Sequence, residues 1–181
     1  YKCIASFGHI QELNGIKSIE IDNNFKPNFN LLESKIQQIN KIKTLLKNSK
    51  EVLIASDDDR EGEAIGWHIC QVFKLPLTTK RIIFHEITKP ALERAVSNPT
   101  TLNMNIIHAQ QARQVLDLLV GYKISPILWK NISRNSKDGL SAGRCQTPAL
   151  RLVYDNQKDI DDSPGKKVYN TTGYFTKMNL G

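Results

Sequence analysis

The feature that most constrains this chain is a junction between oil and acid. Val52-Leu53-Ile54-Ala55 is a short continuous apolar run, the pattern of a strand buried on both faces of a parallel sheet. It passes straight into Ser56-Asp57-Asp58-Asp59-Arg60-Glu61-Gly62-Glu63, where five of the seven residues from 57 to 63 are carboxylates. Beyond them, Ile65, Ile69, Val72 and Phe73 fall on one helical stripe that Leu75-Pro76 ends, and Arg81 to Phe84 reads as a second strand. Strand, helix and strand over so short a span predict a βαβ unit. Like charges packed this tightly repel one another unless a cation or strong hydrogen bonding offsets them.

The remaining segments arrange themselves around that unit. Residues 2–7 predict a short strand closed by a turn at Gly8-His9, and residues 14–30, rich in Asn, Gly, Asp and Pro, predict loop. Leu32, Ile36, Ile39, Ile42 and Leu46 predict an amphipathic helix over 31–47. Thr88 as N-cap with Pro90 in the first turn predicts a helix over 89–97. A longer helix is expected over 105–120 with Ala109, Ala112, Leu116, Leu119 and Val120 inward, interrupted by Gly121 and Pro126, with another helical stretch reaching Trp129. Arg134 to Gly139 reads as a polar loop, a further helix starts near Thr147, and the composition turns toward β from Lys166.

Charge and cysteine usage narrow the classes. The chain carries a net charge of +7, which suits a polyanionic partner, and of its successive fifty-residue blocks only residues 51–100 hold more acids than bases. No apolar run approaches the roughly 18 residues of a membrane-spanning helix. Cys3, Cys70 and Cys145 are odd in number and lack metal-knuckle spacing, which favours free thiols in a reducing compartment.

At the carboxyl end of a buried strand an open α/β sheet presents ligands into a crevice. Asp57 and Asp59 point the same way in extended chain, and Glu61 follows at a helix N-terminus. Three hard oxygen donors on one loop suit Mg²⁺. The plain alternative is a solvated acidic turn that caps a helix. Gly62 leaves room for a phosphate or a backbone to approach.

Ala55-Ser56-Asp57-Asp58-Asp59-Arg60-Glu61-Gly62-Glu63-Ala64-Ile65 resembles the Toprim metal motif as it appears in type IA DNA topoisomerases. Three further segments are similar to the same family, in its order: Gly8-His9-Ile10; Gln110-Gln111-Ala112-Arg113 with Asp117 and Gly121-Tyr122; and Leu140-Ser141-Ala142-Gly143-Arg144 with Gln146. Together they cover most of the chain, from residue 1 to about 155. His85-Glu86-Ile87-Thr88 and Ser125-Pro126 with Leu128-Trp129 look more like the bacterial topoisomerase I branch than topoisomerase III.

The resemblance implies an α/β Toprim domain, a parallel sheet flanked by helices, over 1–90 and lacking its first strand. A mainly α-helical DNA-binding domain over 91–155 and the start of a β-rich domain over 156–181 follow. It implies that Asp57, Asp59 and Glu61 hold Mg²⁺ and act with Arg60 at the catalytic centre, Arg60 either contacting DNA phosphate or neutralising its acidic neighbours. DNA contacts fall to His9, Arg113, Gln114, Asp117, Tyr122, Trp129, Ser141, Ala142, Gly143, Arg144, Cys145 and Gln146. Of these, Tyr122 and Trp129 are candidates to stack on bases, core packing being the other role open to Trp129. The Ser141-Ala142-Gly143-Arg144 turn before a helix can offer backbone N–H groups and a guanidinium to a phosphate; its other reading is a tight connecting turn. His68 reads as structural.

As an activity, the resemblance implies a type I DNA topoisomerase, an isomerase that relaxes negatively supercoiled DNA by Mg²⁺-dependent, ATP-independent single-strand cleavage, strand passage and religation. It implies a monomer acting on single-stranded or negatively supercoiled DNA, in the cytoplasm or on the nucleoid. The family's first-strand glutamate is expected upstream of Tyr1 and its catalytic tyrosine, in a Tyr-x-Arg-Thr context, downstream; none of the chain's tyrosines has that context, so this segment alone is expected to be inactive. Two other classes remain beside it: an inert single-stranded nucleic-acid-binding module, and a Toprim nuclease or primase.

Overall fold

In the computed structural model, which describes residues 2–132 and 139–175, the chain divides into two units, Tyr1–Gly143 and Arg144–Gly181. The polar loop expected from Arg134 lies largely outside the described residues.

The first unit opens on short antiparallel pairings. Strand β1 (Gln11–Glu12) pairs with β4 (Asn30–Leu31), and β2 (Ile19–Glu20) with β3 (Lys26–Pro27). Residues 2–7 form no strand, although one is expected there, because no described neighbour supplies a ladder for them. Conversely, the stretch expected to be loop forms a small hairpin. Its turn uses left-handed backbone at Asn24 and Phe25, and the Glu20 carboxylate accepts amide hydrogens from Asn28 at 2.7 Å and Asn23 at 2.6 Å. Those two bonds hold the Glu20 pKa below its ordinary value.

Helix α1 (Ile36–Lys47) follows a 3-10 turn at Glu33–Lys35 and buries Ile39 and Ile42. The βαβ unit is present as expected. Strand β5 (Ile54–Ala55), helix α2 (Arg60–Phe73) and strand β6 (Arg81–Ile82) follow in order, with β5 and β6 parallel and Ile54 opposite Arg81. Thr100 bridges the other side of Arg81 through backbone bonds of 2.8 and 2.7 Å. Ile54, Cys70, Leu102 and Ile107 form the buried centre, with Trp67, Leu75 and Met104 against it.

Helix α3 (Lys89–Ser97) has the expected bounds, with Thr88 in extended backbone at the N-cap, though its hydroxyl donates to Glu86 Oε1 at 3.2 Å and does not cap the helix. Helix α4 (Met104–Asn131) corrects the expected interruption: it runs 28 residues through Gly121 and Pro126. Its buried residues are Ile107, Gln110, Val115 and Ser125, whereas Ala109, Ala112 and Leu116 face solvent.

The second unit contains helix α5 (Gln146–Asp161), none of whose residues is buried. It starts next to the expected Thr147 and continues past residue 155, and residues 163–175 form no strand. Among the described residues no helix is long and apolar enough to cross a membrane, and Cys3, Cys70 and Cys145 are free thiols.

Candidate functional site

The acidic loop sits between β5 and α2, and its shape is set by contacts from three sides. Asp59 is the N-cap of α2: its Oδ1 accepts the Gly62 N–H at 2.6 Å, satisfying one donor of the first turn. Gly62 is the close approach anticipated from sequence, and the neighbour is backbone. A Cβ there would stand 2.1 Å from the Asp57 carbonyl oxygen.

Arg81 reaches the same loop from β6. It is 1% exposed; its Nη2 donates to the Asp57 carbonyl at 2.7 Å and its Nε to Ser56 Oγ at 3.2 Å. Its Nε also lies 3.3 Å from Glu63 Oε2, an ion pair with both side chains buried. The other Glu63 oxygen accepts the Asn103 N–H at 3.2 Å, at the start of α4. One buried Arg–Glu pair therefore ties the loop, α2, β6 and α4 together.

Glu61 carries the second set of contacts. His9 Nε2 and Gln110 Nε2 both lie 3.1 Å from Glu61 Oε2. Arg113 Nη1 lies 3.8 Å from Glu61 Oε1, and Arg113 Nε lies 3.7 Å from Asp117 Oδ2. Three segments singled out in the sequence, Gly8-His9, the acidic loop and Gln110 to Arg113, thus meet at one carboxylate. Behind His9 the ring of His68 packs with Phe29 and Trp67. Both His68 nitrogens are buried without a hydrogen-bond partner among the described residues, and burial, reinforced by His9, pushes its pKa down to about 4.

Asp57, Asp58 and Arg60 are exposed. Asp58 lies 3.6 Å from His85. As a donor set for Mg²⁺ the loop is right in kind: it offers the Asp57 carboxylate, the Asp59 oxygen not used in capping, and Glu61 Oε1, all hard oxygens. The side chains are not drawn together, however; among the described residues no three carboxylate, histidine or cysteine groups are close enough to hold an ion.

Further along α4 lies an open hollow of about 280 Å³, lined by Asp117, Leu118, Gly121, Tyr122, Ser125, Trp129, Ser141 and Ala142. Five residues expected to contact DNA (Asp117, Tyr122, Trp129, Ser141 and Ala142) are thereby gathered around one concavity. Tyr122 is half-exposed, with its hydroxyl against Gly15, where a Cβ would come within 2.7 Å. Trp129 is also half-exposed and donates its indole N–H to the Leu140 carbonyl, so it is not a core residue. The expectation that the backbone N–H groups of the Ser141 turn meet a phosphate needs correction at Ala142. Its N–H donates to Ser125 Oγ at 3.0 Å, which docks the turn on α4. Gln114 is half-buried with an unpartnered side-chain oxygen. Gly143 closes the first unit, while Arg144, Cys145 and Gln146 open the second at the first turn of α5.

Sequence reasoning gave no role to Arg81, Glu63 or Gln110. The available signal for Arg81 was a charge at the start of an otherwise apolar strand. For Gln110 it was a polar residue one turn before Arg113.

Comparison with known proteins agrees along the chain. Residues 1–87 match the Toprim domain family and residues 101–179 match the DNA topoisomerase family. The structure of full-length topoisomerase I from Thermotoga maritima superposes with a TM-score of 0.78 at 43% identity. That match covers 90% of this chain and 27% of the Thermotoga protein, so the chain spans about a quarter of its relative's length. Two consecutive family matches and one close structural relative over nearly all of its residues make this chain a member of the type IA DNA topoisomerases, corresponding to the Toprim region and the helical region after it.

Proposed function

We propose that the chain supplies the metal-holding and strand-gripping part of a bacterial topoisomerase I-like enzyme. The complete protein relaxes negatively supercoiled DNA on the nucleoid as a monomer, without ATP, by cleaving one strand through a tyrosine outside this chain, passing a strand and resealing the break. The observation that carries this reading is Glu61, on which His9, Gln110 and Arg113 converge from 49 to 52 residues away. Such convergence links the acidic loop to the helix expected to run along DNA.

In this reading Asp57, Asp59 and Glu61 would hold Mg²⁺, which when bound positions phosphate oxygens and offsets their charge near the break. Arg113, steadied by Asp117, grips a phosphate of the strand, and the rings of Tyr122 and Trp129 face bases at the hollow. Arg144, at the head of α5, contributes a further phosphate contact.

The test uses the complete protein with Asp57→Asn and Asp59→Asn together, since Asn keeps the cap of α2. Mg²⁺-dependent relaxation is expected to fall at least a hundredfold while single-strand binding persists. Unchanged relaxation overturns the metal assignment. A wild-type protein that binds strands but never relaxes them is an inert binding module.

A further inference from the structure

We infer that Gln110 is a positioning residue for Glu61, fixing one carboxylate oxygen so that the other is left to a divalent cation. This rests on the reading of the acidic loop as a Mg²⁺ site and adds a residue to it.

The geometry is asymmetric. Both strong donors, His9 Nε2 and Gln110 Nε2, sit 3.1 Å from the same oxygen, Oε2. Among the described residues, Oε1 has Arg113 Nη1 at 3.8 Å, beyond hydrogen-bonding reach, and no hydrogen bond is given to it. Glu61 therefore presents a single oxygen with its direction set by two side chains, as suits an ion that takes one oxygen from each carboxylate. Asp59 is arranged likewise, one oxygen held by the Gly62 N–H.

Gln110 serves this arrangement at a cost to the fold. It is 1% exposed, and an ionised carboxylate can only accept, so its amide must turn the NH₂ toward Glu61. That choice leaves the Gln110 side-chain oxygen buried with no hydrogen-bond partner among the described residues. A leucine at this place on α4 has no such orphan, so stability alone does not account for the amide. Because Gln110 lies one turn before Arg113, the helix face that meets the strand also aims the ion's ligand.

The experiment titrates Mg²⁺ alone into the complete protein by calorimetry, comparing wild type, Asp57→Asn with Asp59→Asn, Gln110→Leu, and the near-isosteric Gln110→Met. Both Gln110 variants are expected to weaken Mg²⁺ binding about tenfold or more, with a melting temperature equal to or above wild type. Unchanged Mg²⁺ affinity in both variants overturns the inference. So does weakened affinity accompanied by a lower melting temperature or lost fold, which makes Gln110 a structural residue. Should wild type and the double Asn variant bind Mg²⁺ alike, the acidic-loop reading itself fails, and the inference falls with it.

Discussion

The acidic end of α2 and α5 are both helical, yet the pairs described along them differ in reach. At α2 the defining contacts span 24 residues, from Arg81 to Asp57, and 52, from His9 to Glu61. Along α5, local pairs join Arg151 with Asp155 at 2.7 Å and Gln157 with Asp161 at 2.7 Å, on a helix with no buried residue. Isolated helices of this length are marginal in water, and tertiary packing normally supplies most of their stability. The first helix is held by a framework that also shapes a chemical site; along the second, these pairs join side chains one turn apart.

Mutations should separate the two helices sharply. Arg81→Met leaves Glu63 buried and unpaired, and is expected to cost about 3–5 kcal/mol in chemical denaturation. Adding Glu63→Met should recover most of that loss, since an apolar pair of similar volume tolerates burial. A small cost for the single change would show that the framework is not the source of order at α2.

The next effect is one of pH. His68 is neutral in the fold, with a pKa near 4 against an ordinary 6.5. Above pH 6.5 the folded and unfolded chains hold the same proton count at this ring. As the pH falls from 6.5 toward 4, only the unfolded chain takes up the proton, so stability falls in that window, by roughly 3 kcal/mol at its lower end. His68→Phe should flatten melting temperature against pH over the same range; an undiminished slope assigns the loss to other groups. Smallest of all, Arg151→Ala on α5 is expected to change stability by about 0.5 kcal/mol or less. A larger loss would mean that α5 owes more to that pair than an exposed contact gives.

What could be read from sequence follows the same division. Signals that act locally were legible: the bounds of α3 from Thr88 and Pro90, the apolar run that became β5, the acids at the head of α2. Signals that depend on a distant partner were not. Counting apolar residues put Ala109, Ala112 and Leu116 inside α4, but two of its four buried positions are the polar Gln110 and Ser125, whose side chains meet Glu61 and the Ala142 N–H. On α2 the expected stripe of Ile65, Ile69, Val72 and Phe73 is only half-buried. The buried residues are Gly62, Glu63, Ala64, Gly66, His68 and Cys70, most of them small. Of the site itself, the acidic loop, Arg113 and the residues around the hollow were legible as motifs; the buried Arg81–Glu63 pair had only a stray charge to announce it.

Gly62 carries a consequence for inheritance. Every missense change in its codon installs a Cβ, and the atom it would meet at 2.1 Å is the main-chain oxygen of Asp57, which has no rotamer to turn aside. Conservative and radical replacements should therefore be almost equally damaging there, whereas the neighbouring Arg60 can be graded by size and charge. In a library of random variants, residue 62 should read as an all-or-none position, blank in every column but one.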